Sequence, residues 1–400
     1  MSLVAKRLDL IKPSPSVMAM ARAKQLIAQG HDICNMAGGE PDFPTPPHII
    51  EAAYRAMLDG ETRYTAVDGT PALKQAICSK FKRENRLDFT SDQISVGAGA
   101  KQVLYNAITC SVEDGDEVIV PAPYWVSYPD IVQLNGGAPV YIPTTAEQGF
   151  KISAEQLQAA ITPRTKWVIL NSPGNPSGAT YSMAELTALG RVVADQPHVH
   201  VMTDDIYEHL IYDDAPYATF AEANPDLADR TLTINGVSKS FAMTGWRIGY
   251  AGGPRPLIKA MEKLQSQTTG NPASVSQAAA LAALQAPMSF FAAWREEFRR
   301  RRDFIVARLD GRHGLRCPTP NGAFYVYPSI EELIGKRTLN DRLIATDGDF
   351  VMYLLDDYKV ATVQGAAYGI SPAFRISFAT SMEIIEKACG RILEACASLR

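Results

Sequence analysis

Seven short apolar runs of strand length recur along the middle of the chain, and segments with apolar residues at helical spacing separate them. The runs are ISV (94–96), EVIV (117–120), PVYI (139–142), WVIL (167–170), VHVMTD (199–204), TLTIN (231–235) and IGYA (248–251). Continuous apolar strands that alternate with helices are typical of a parallel sheet buried on both faces. The pattern therefore predicts an α/β fold with a mostly parallel, doubly wound seven-stranded sheet flanked by helices.

The C-terminal part of the chain has a different pattern. The stretch AAWREEFRRRRDFIVARLD (292–310) has apolar residues at roughly helical spacing among many charges, which predicts a long amphipathic helix. We expect this helix to lead from a large domain (49–304) to a smaller α+β domain (305–400), which the N-terminal segment (1–48) completes. The proline-rich EPDFPTPP (40–47) predicts a stiff, extended crossing between the two domains.

Composition and charge exclude several classes of protein. The chain has 400 residues, of which 46% are hydrophobic and 20% charged, as in globular proteins with a sizeable core. Its net charge of −4 provides no general attraction to nucleic acid or to an anionic membrane. The six cysteines show neither metal-ligand spacing nor a disulfide framework. Charges at Lys6, Arg7, Asp9 and Lys12 interrupt the N-terminal apolar residues, so we expect no signal peptide and a cytoplasmic protein.

Unusual polar residues follow several of the predicted strands. Asp204, Asp205 and Tyr207 come at the end of the 199–204 run, and Lys239 comes shortly after the 231–235 run. Ligands of open α/β sheets bind at the carboxyl ends of the strands. The sequence therefore predicts a functional site at this edge of the sheet.

The stretch VGAGAKQ (96–102) places Gly97 and Gly99 between a predicted strand and a predicted helix. Backbone N–H groups at such a helix N-terminus can cradle a phosphate, although a simple tight turn explains the glycines equally well. Gln102 stands where a dinucleotide fingerprint has its third glycine, so this loop does not predict a dinucleotide site.

A lysine between two serines opens the stretch SKSFAMTGWRIGY (238–250). Lys239 is either an exposed surface charge or a nucleophile activated by burial and by a neighbouring cation such as Arg247. Arginine also binds phosphate as a two-pronged donor. A nucleophilic lysine beside a phosphate site indicates a phosphate-bearing aldehyde, which is pyridoxal phosphate (PLP).

The pyridine nitrogen of that cofactor needs a buried carboxylate as its partner. TDDIYEHL (203–210) offers Asp204 and Asp205 at a strand end, where an acidic residue could instead cap a helix. Because the strand ends at this point, its two-residue period does not choose between the two aspartates.

GVSKSFAMTGWRIG (236–249) resembles the lysine-attachment signature of the class I PLP-dependent aminotransferases. Further motifs resemble that family in the same order over nearly the whole chain, namely AGGEPDF (37–43), RYTAVDG (63–69), PYWVSYP (123–129), NSPGNPSG (171–178), TDDIYE (203–208) and FRISFATS (374–381). The closer similarity is to the bacterial aspartate aminotransferases, some of which accept prephenate, and it rests on GAGAKQ with Lys101, KPSPS with Ser14 and Ser16, and PYWVSYP.

The resemblance implies the fold type I architecture of PLP-dependent transferases, a homodimer with shared active sites, and roles for individual residues. Lys239 would form the Schiff base and then transfer the proton at the substrate α-carbon, and Asp204 would pair with the pyridine nitrogen. The other residues implied to hold the cofactor are Gly99, Ala100, Lys101, Trp125, Asn175, Tyr207, Ser238, Arg247 and, from the neighbouring subunit, Tyr64. The Asn175–Pro176 peptide bond would be cis.

Arg375 would bind the substrate α-carboxylate as a two-pronged donor, helped by Gly39, Asn175 and Trp125. No motif supplies an unambiguous second arginine for the distal carboxylate. The residues that could read this group in the resemblance are Lys101, Ser14 and Ser16.

The function that the resemblance implies is transfer of the amino group of aspartate to 2-oxoglutarate by a ping-pong mechanism. Alternatives on the same scaffold are transamination of prephenate or aromatic amino acids, and β-elimination. A non-catalytic ligand-sensing relative is a further alternative, but such regulators carry an additional DNA-binding domain and no basic helical segment precedes the motifs here.

Overall fold

Residues 3–215 and 217–400 are described by the computed structural model of the protein. Its helices are α1 (Pro15–Ala28), α2 (Pro47–Leu58), α3 (Pro71–Asn85), α4 (Ala100–Ser111), α5 (Ser127–Leu134), α6 (Ala154–Ala160), α7 (Met183–Ala194), α8 (Phe220–Ala223), α9 (Arg255–Ser266), α10 (Ser274–Gln285), α11 (Phe291–Leu309), α12 (Asp347–Tyr358) and α13 (Met382–Ser398). Its strands are β1 (Cys34–Asn35), β2 (Ile94–Gly97), β3 (Glu117–Ala122), β4 (Ala138–Pro143), β5 (Thr165–Asn171), β6 (His200–Asp204), β7 (Thr231–Gly236), β8 (Gly249–Gly252), β9 (Tyr325–Val326), β10 (Val360–Ala361), β11 (Val363–Gln364) and β12 (Phe374–Ser377).

The large sheet confirms the predicted α/β architecture. Its seven strands lie in the order β2-β8-β7-β6-β5-β3-β4, and each coincides with one of the seven apolar runs to within two residues at either end. All neighbouring pairs are parallel except those of β8, which is antiparallel to both β2 and β7. The chain passes from β7 to β8 through residues 237–248 without a crossover helix, and such a direct return produces an antiparallel pair.

Helices cover both faces of this sheet, which explains why its strands are continuously apolar. Val118 and Val120 pack on one face with α4 and α9, whereas Ile119 packs on the other face with α6 and α7. Successive strand residues point to opposite faces, so a strand that is buried on both sides needs apolar residues throughout.

The C-terminal part forms a second, smaller unit of structure. Its strands β11, β12 and β9 make an antiparallel sheet, and α11 covers the predicted amphipathic stretch almost residue for residue. The N-terminal segment joins this unit because β1 pairs in parallel with β10, with Cys34 opposite Val360. The domain boundaries at residues 48 and 304 remain a prediction.

Within residues 3–215 and 217–400, no helix combines the length and the apolar character that crossing a bilayer requires.

Candidate active site

A cavity of about 330 Å³ lies at the carboxyl ends of β5, β6 and β7. Parallel strands bring these ends together, since Asn171 at the end of β5 is in register with Asp204 at the end of β6. Most of the predicted site residues line this cavity, and they are Ser16, Gly39, Ala100, Lys101, Trp125, Asn175, Asp204, Tyr207, Ser238, Lys239, Arg247 and Arg375. The sheet therefore gathers residues that are far apart in sequence.

Lys239 reaches the cavity from the turn that follows β7. Its Nζ donates a hydrogen bond of 2.5 Å to the carbonyl oxygen of Gly39 and lies 5.8 Å from the ring centroid of Tyr207. Burial lowers the pKa of Lys239 to about 8, although the carboxylate of Glu40 acts in the opposite direction. Near neutral pH this amine therefore has a larger neutral, nucleophilic fraction than an exposed lysine has.

The Asp204 carboxylate faces the cavity from the end of β6. Its Oδ2 accepts a hydrogen bond of 2.7 Å from the Tyr128 hydroxyl, and burial raises its pKa. Its Oδ1 is buried and has no hydrogen-bond partner in the described parts of the chain. Asp205 does not line the cavity, and its Oδ2 accepts a hydrogen bond of 3.3 Å from the Thr203 hydroxyl instead. Of the two aspartates, Asp204 is therefore the one placed to bind a ligand in the cavity.

The glycine loop forms the N-terminus of α4 at the edge of the cavity. Gly99 is the N-cap residue, with a φ of 91° that glycine adopts without strain, and Ala100 and Lys101 begin the helix. The Arg247 guanidinium lies against this loop, where its Nη2 donates to the carbonyl oxygen of Ala98 over 3.2 Å. A Cβ on Gly99 would overlap that guanidinium. Helix N–H groups and an arginine thus converge as an anion site, which favours the phosphate interpretation of the loop.

Arg375 enters from β12 and is almost completely buried, with 2% of its surface exposed. Its Nη1 donates to Asn175 Oδ1 over 3.0 Å and its Nη2 to the carbonyl oxygen of Ala37 over 2.7 Å. The guanidinium also stacks on Tyr325, 4.5 Å from the ring centroid. Its Nε has no hydrogen-bond partner among the described residues, so this side chain keeps a free donor. The Asn175–Pro176 bond beside it is cis, as the resemblance implied.

Lys101 and Trp125 lie together at the cavity wall. Lys101 Nζ is 4.7 Å from the Trp125 ring centroid, a cation–π contact, and Trp125 packs edge-to-face on Tyr128. Burial and, to a smaller extent, Arg247 lower the pKa of Lys101, while Asp130 opposes the shift. Lys101 therefore lies near the anion site and on the wall of the cavity.

Three predicted residues do not line the cavity. Ser14 is the N-cap residue of α1, Gly99 lies behind the guanidinium of Arg247, and Tyr64 is 97% exposed. Ser16 does line it, and its hydroxyl is 3.2 Å from that of Tyr368. The binding roles of all four residues remain predictions.

Sequence reasoning missed five polar residues of the cavity. Four of them lie inside motifs quoted above, so membership of a motif could have indicated them, and they are Glu40, Tyr128, Asn171 and Thr244. Tyr325 carried no such signal, because it is one of 16 tyrosines and lies outside every motif quoted above. In the structure the Tyr325 hydroxyl is 2.9 Å from that of Tyr207, and the face of the Tyr325 ring packs against Arg375. Tyr325 therefore contacts both of these predicted site residues.

The cavity fits the chemistry of PLP. The orphaned Asp204 Oδ1 is a buried acceptor for a protonated ring nitrogen, and the Lys239 amine is available for an aldehyde. The anion site formed by the α4 N-terminus and Arg247 matches a phosphate group, and Trp125 offers an aromatic face.

Comparison with known proteins points to the same chemistry. The family model described as aminotransferase class I and II matches residues 31–392. The chain is 53% identical to an aspartate/prephenate aminotransferase of Cereibacter sphaeroides, over 100% of both chains. A solved aspartate aminotransferase from Rhizobium meliloti superposes with a TM-score of 0.96 at 50% identity and 100% coverage of both chains. The Thermus thermophilus aspartate aminotransferase with maleate gives a TM-score of 0.92 at 40% identity, covering 99% of this chain and 100% of that one.

Proposed function

The chain belongs to the class I and II aminotransferase family, and from this premise we propose that it transfers the amino group of L-aspartate to 2-oxoglutarate with PLP as cofactor. The observation that carries the proposal is the cavity that brings together Lys239, Asp204, Arg247 and Arg375. These four residues provide an amine, a buried carboxylate, an anion site and a carboxylate receptor. The substrate follows from the relatives, several of which are named aspartate or aspartate/prephenate aminotransferase.

Each of these residues has a distinct task in the proposed reaction. PLP, when bound, supplies an aldehyde that combines with the substrate amine and a ring that accepts the electrons released at the α-carbon. Asp204 would keep the ring nitrogen protonated, and Tyr207 and Asn175 would bind the phenolic oxygen of the ring. Trp125, Ser238 and the Gly99 loop would orient the ring and its phosphate.

Two side chains would act on the amino acid itself. Arg375 would bind the α-carboxylate with its free donor, because a buried guanidinium with an unpartnered N–H is a strong carboxylate site. The Lys239 amine, made less basic by burial, would take the proton from the substrate α-carbon and deliver it to the carbon that the cofactor's aldehyde supplied. Gly39, whose carbonyl oxygen accepts the bond from Lys239, would also lie next to the α-carboxylate.

The half-reaction tests this function directly. PLP-loaded protein mixed with L-aspartate, in the absence of any 2-oxo acid, is expected to release about one equivalent of oxaloacetate per chain and then to stop, as a ping-pong cycle requires. Release of a 2-oxo acid from L-phenylalanine but not from L-aspartate would contradict the assignment of aspartate. Continuous release of ammonia would instead indicate an elimination reaction.

Lys101 is the residue that we propose to read the distal carboxylate, helped by Ser14 and Ser16. It is a cation at the cavity wall, although only Ser16 of the two serines lines the cavity. We expect Lys101→Ser to lower kcat/KM for L-aspartate by about 10- to 100-fold, the loss of one charged contact, and that for L-phenylalanine by much less. Equal losses with both amino acids would assign Lys101 to the phosphate site; Lys259→Ala, an exposed lysine on α9, is the matched control.

Prephenate is a second candidate amino acceptor, because the relative at 53% identity is named for both substrates. Prephenate, like oxaloacetate, carries a second carboxylate beyond the 2-oxo acid group. The same Lys101 would therefore serve both, and the Lys101→Ser protein should lose activity with prephenate as well as with aspartate.

We also propose that two chains form a homodimer in which Tyr64 reaches the phosphate site of the partner. Tyr64 is 97% exposed, and α2 displays the exposed apolar side chains of Ile50, Tyr54, Met57 and Leu58. An exposed apolar face of this kind supports an association surface. The cytoplasmic location remains a prediction from the sequence.

A further inference from the structure

A buried polar cluster lies behind the cavity, and we name it the Glu208 cluster. Its members are Lys80, Glu84, Asn85, Glu208, His209, Asn235 and Ser240. None of them is among the residues that line the cavity. Two of them are sequence neighbours of residues that do line it, because Glu208 follows Tyr207 and Ser240 follows Lys239.

Glu208 is the fixed centre of this cluster. It is 6% exposed and binds the Lys80 ammonium, which is itself 1% exposed. Asn85 and Asn235 donate to its two oxygens over 2.8 Å and 2.7 Å. A buried carboxylate with three donors is well satisfied, so it holds a defined position.

The carboxylates of Glu84 and Glu208 and the ring of His209 lie close enough together to suggest a metal site. The Lys80 ammonium already provides the cation, since it binds Glu208 and lies 3.6 Å from Glu84 Oε2. The cluster therefore has a different role.

His209 links this centre to the turn that carries Lys239. Its Nε2 is 3.0 Å from Glu84 Oε2, and its Nδ1 is 2.8 Å from the Ser240 hydroxyl oxygen. Burial works against the charge of Glu84, but its bonds with His209 and the charge of Lys80 outweigh burial and lower its pKa to about 2. An ionised carboxylate only accepts, so Nε2 donates to Glu84 and Nδ1 is left to pair with Ser240.

From this arrangement we infer that His209 is a positioning residue for the transamination proposed above. Through Ser240 it fixes the turn that carries Lys239 relative to the segment that carries Asp204 and Tyr207. The second connection of the cluster is Asn235 in β7, which donates to Glu208 and, through its Oδ1, accepts from the N–H of Gly236, the last residue of β7 before this turn. The cluster is therefore bonded to the chain both before Lys239, at Asn235, and after it, at Ser240.

The consequence for the reaction is a defined distance between the Lys239 amine and the substrate α-carbon. Proton transfer is sensitive to small displacements of the transferring group. Arg375 has no hydrogen bond to any member of the Glu208 cluster, because its hydrogen-bond partners in the described part of the chain are Asn175 and Ala37. A loosened turn should therefore affect kcat rather than the binding of the amino acid.

The test uses the PLP-loaded protein with Ser240→Ala, His209→Phe and His209→Gln. Phenylalanine keeps a ring beside Phe291, which packs edge-to-face on His209, but makes no hydrogen bond. Glutamine can still donate to Glu84 and accept from Ser240, so it is the conservative variant. Ser79→Ala is the matched control, because Ser79 is an exposed α3 serine whose hydroxyl donates to its own helix backbone, at the carbonyl oxygen of Gln75.

We expect Ser240→Ala and His209→Phe to lower kcat with L-aspartate by about tenfold, equivalent to about 1.4 kcal/mol of barrier, with KM changed less than about twofold. His209→Gln should recover part of the loss, and Ser79→Ala should behave as the parent protein. The pH midpoint of the visible absorption of the bound cofactor should also move by about half a unit in the two disruptive variants.

The pH midpoint of the cofactor absorption distinguishes a positioning role of His209 from a role in the stability of the fold alone. The charged groups that face Lys239 are Glu40, Asp204, Arg247 and Arg375, and all of them are retained in these variants. A lowered melting temperature with unchanged kcat and midpoint would reduce His209 to a structural residue and overturn the inference. A parent protein that binds no cofactor would instead overturn the proposed function, and the inference with it.

Discussion

Replacing Lys239 by alanine is expected to abolish turnover, with kcat falling by about 10⁴-fold or more, the upper range for loss of a general acid–base group. The reason is that one amine is proposed both to hold the cofactor covalently and to move the proton at the α-carbon. No other lysine can substitute at this place, since the remaining lysine of the cavity wall, Lys101, lies against Trp125 and the anion site. The steady-state rate with L-aspartate and 2-oxoglutarate measures the effect.

A second measurement shows whether the loss is chemical. Reduction of the PLP-loaded parent with borohydride should increase the mass of the chain by one reduced cofactor, and the Lys239→Ala protein should show no increase. Lys259→Ala, which removes an exposed lysine from α9, should behave as the parent in both assays. The fold should persist, because within residues 3–215 and 217–400 the Lys239 amine donates a single hydrogen bond, to Gly39. Retention of covalent cofactor in the Lys239→Ala protein would refute the assignment.

The second large effect is expected for Arg375→Ala. Loss of a buried hydrogen-bonded charge partner costs about 2–5 kcal/mol, which corresponds to a fall in kcat/KM for L-aspartate of about 30- to 5,000-fold. The cause is the α-carboxylate, which would enter a buried site without its cation. Cofactor binding should change little, because the anion site at the N-terminus of α4 does not include Arg375.

Arg375→Lys tests the geometry separately from the charge. Lysine keeps the cation but loses the planar pair of donors and the stacking on Tyr325, so we expect an activity between those of the parent and the alanine variant. Arg300→Ala, on the exposed side of α11, is the control for removal of an arginine. A loss of cofactor affinity as large as the loss in kcat/KM would place Arg375 in the cofactor site instead.

Local sequence was sufficient for much of the fold and for a specific prediction of the chemistry. The seven strands of the large sheet and helix α11 follow from apolar periodicity, because burial on one or both faces imposes a regular spacing on neighbouring residues. The glycine loop and the lysine-bearing turn were visible because they combine rare residues within a few positions. From these short-range patterns came the predicted phosphate site, the predicted nucleophilic lysine and hence the predicted cofactor class.

Long-range packing settled what these patterns left open. The end of β6 turns the Asp204 carboxylate into the cavity and leaves Asp205 bonded to Thr203, a choice that strand period could not make at a strand end. Tyr325 meets Tyr207 only because β9 pairs with β12 next to Arg375, and His209 meets Glu84 across 125 positions of sequence. Such contacts depend on how whole helices and strands pack against one another. The spacing of residues along one helix or strand does not determine which other element it contacts.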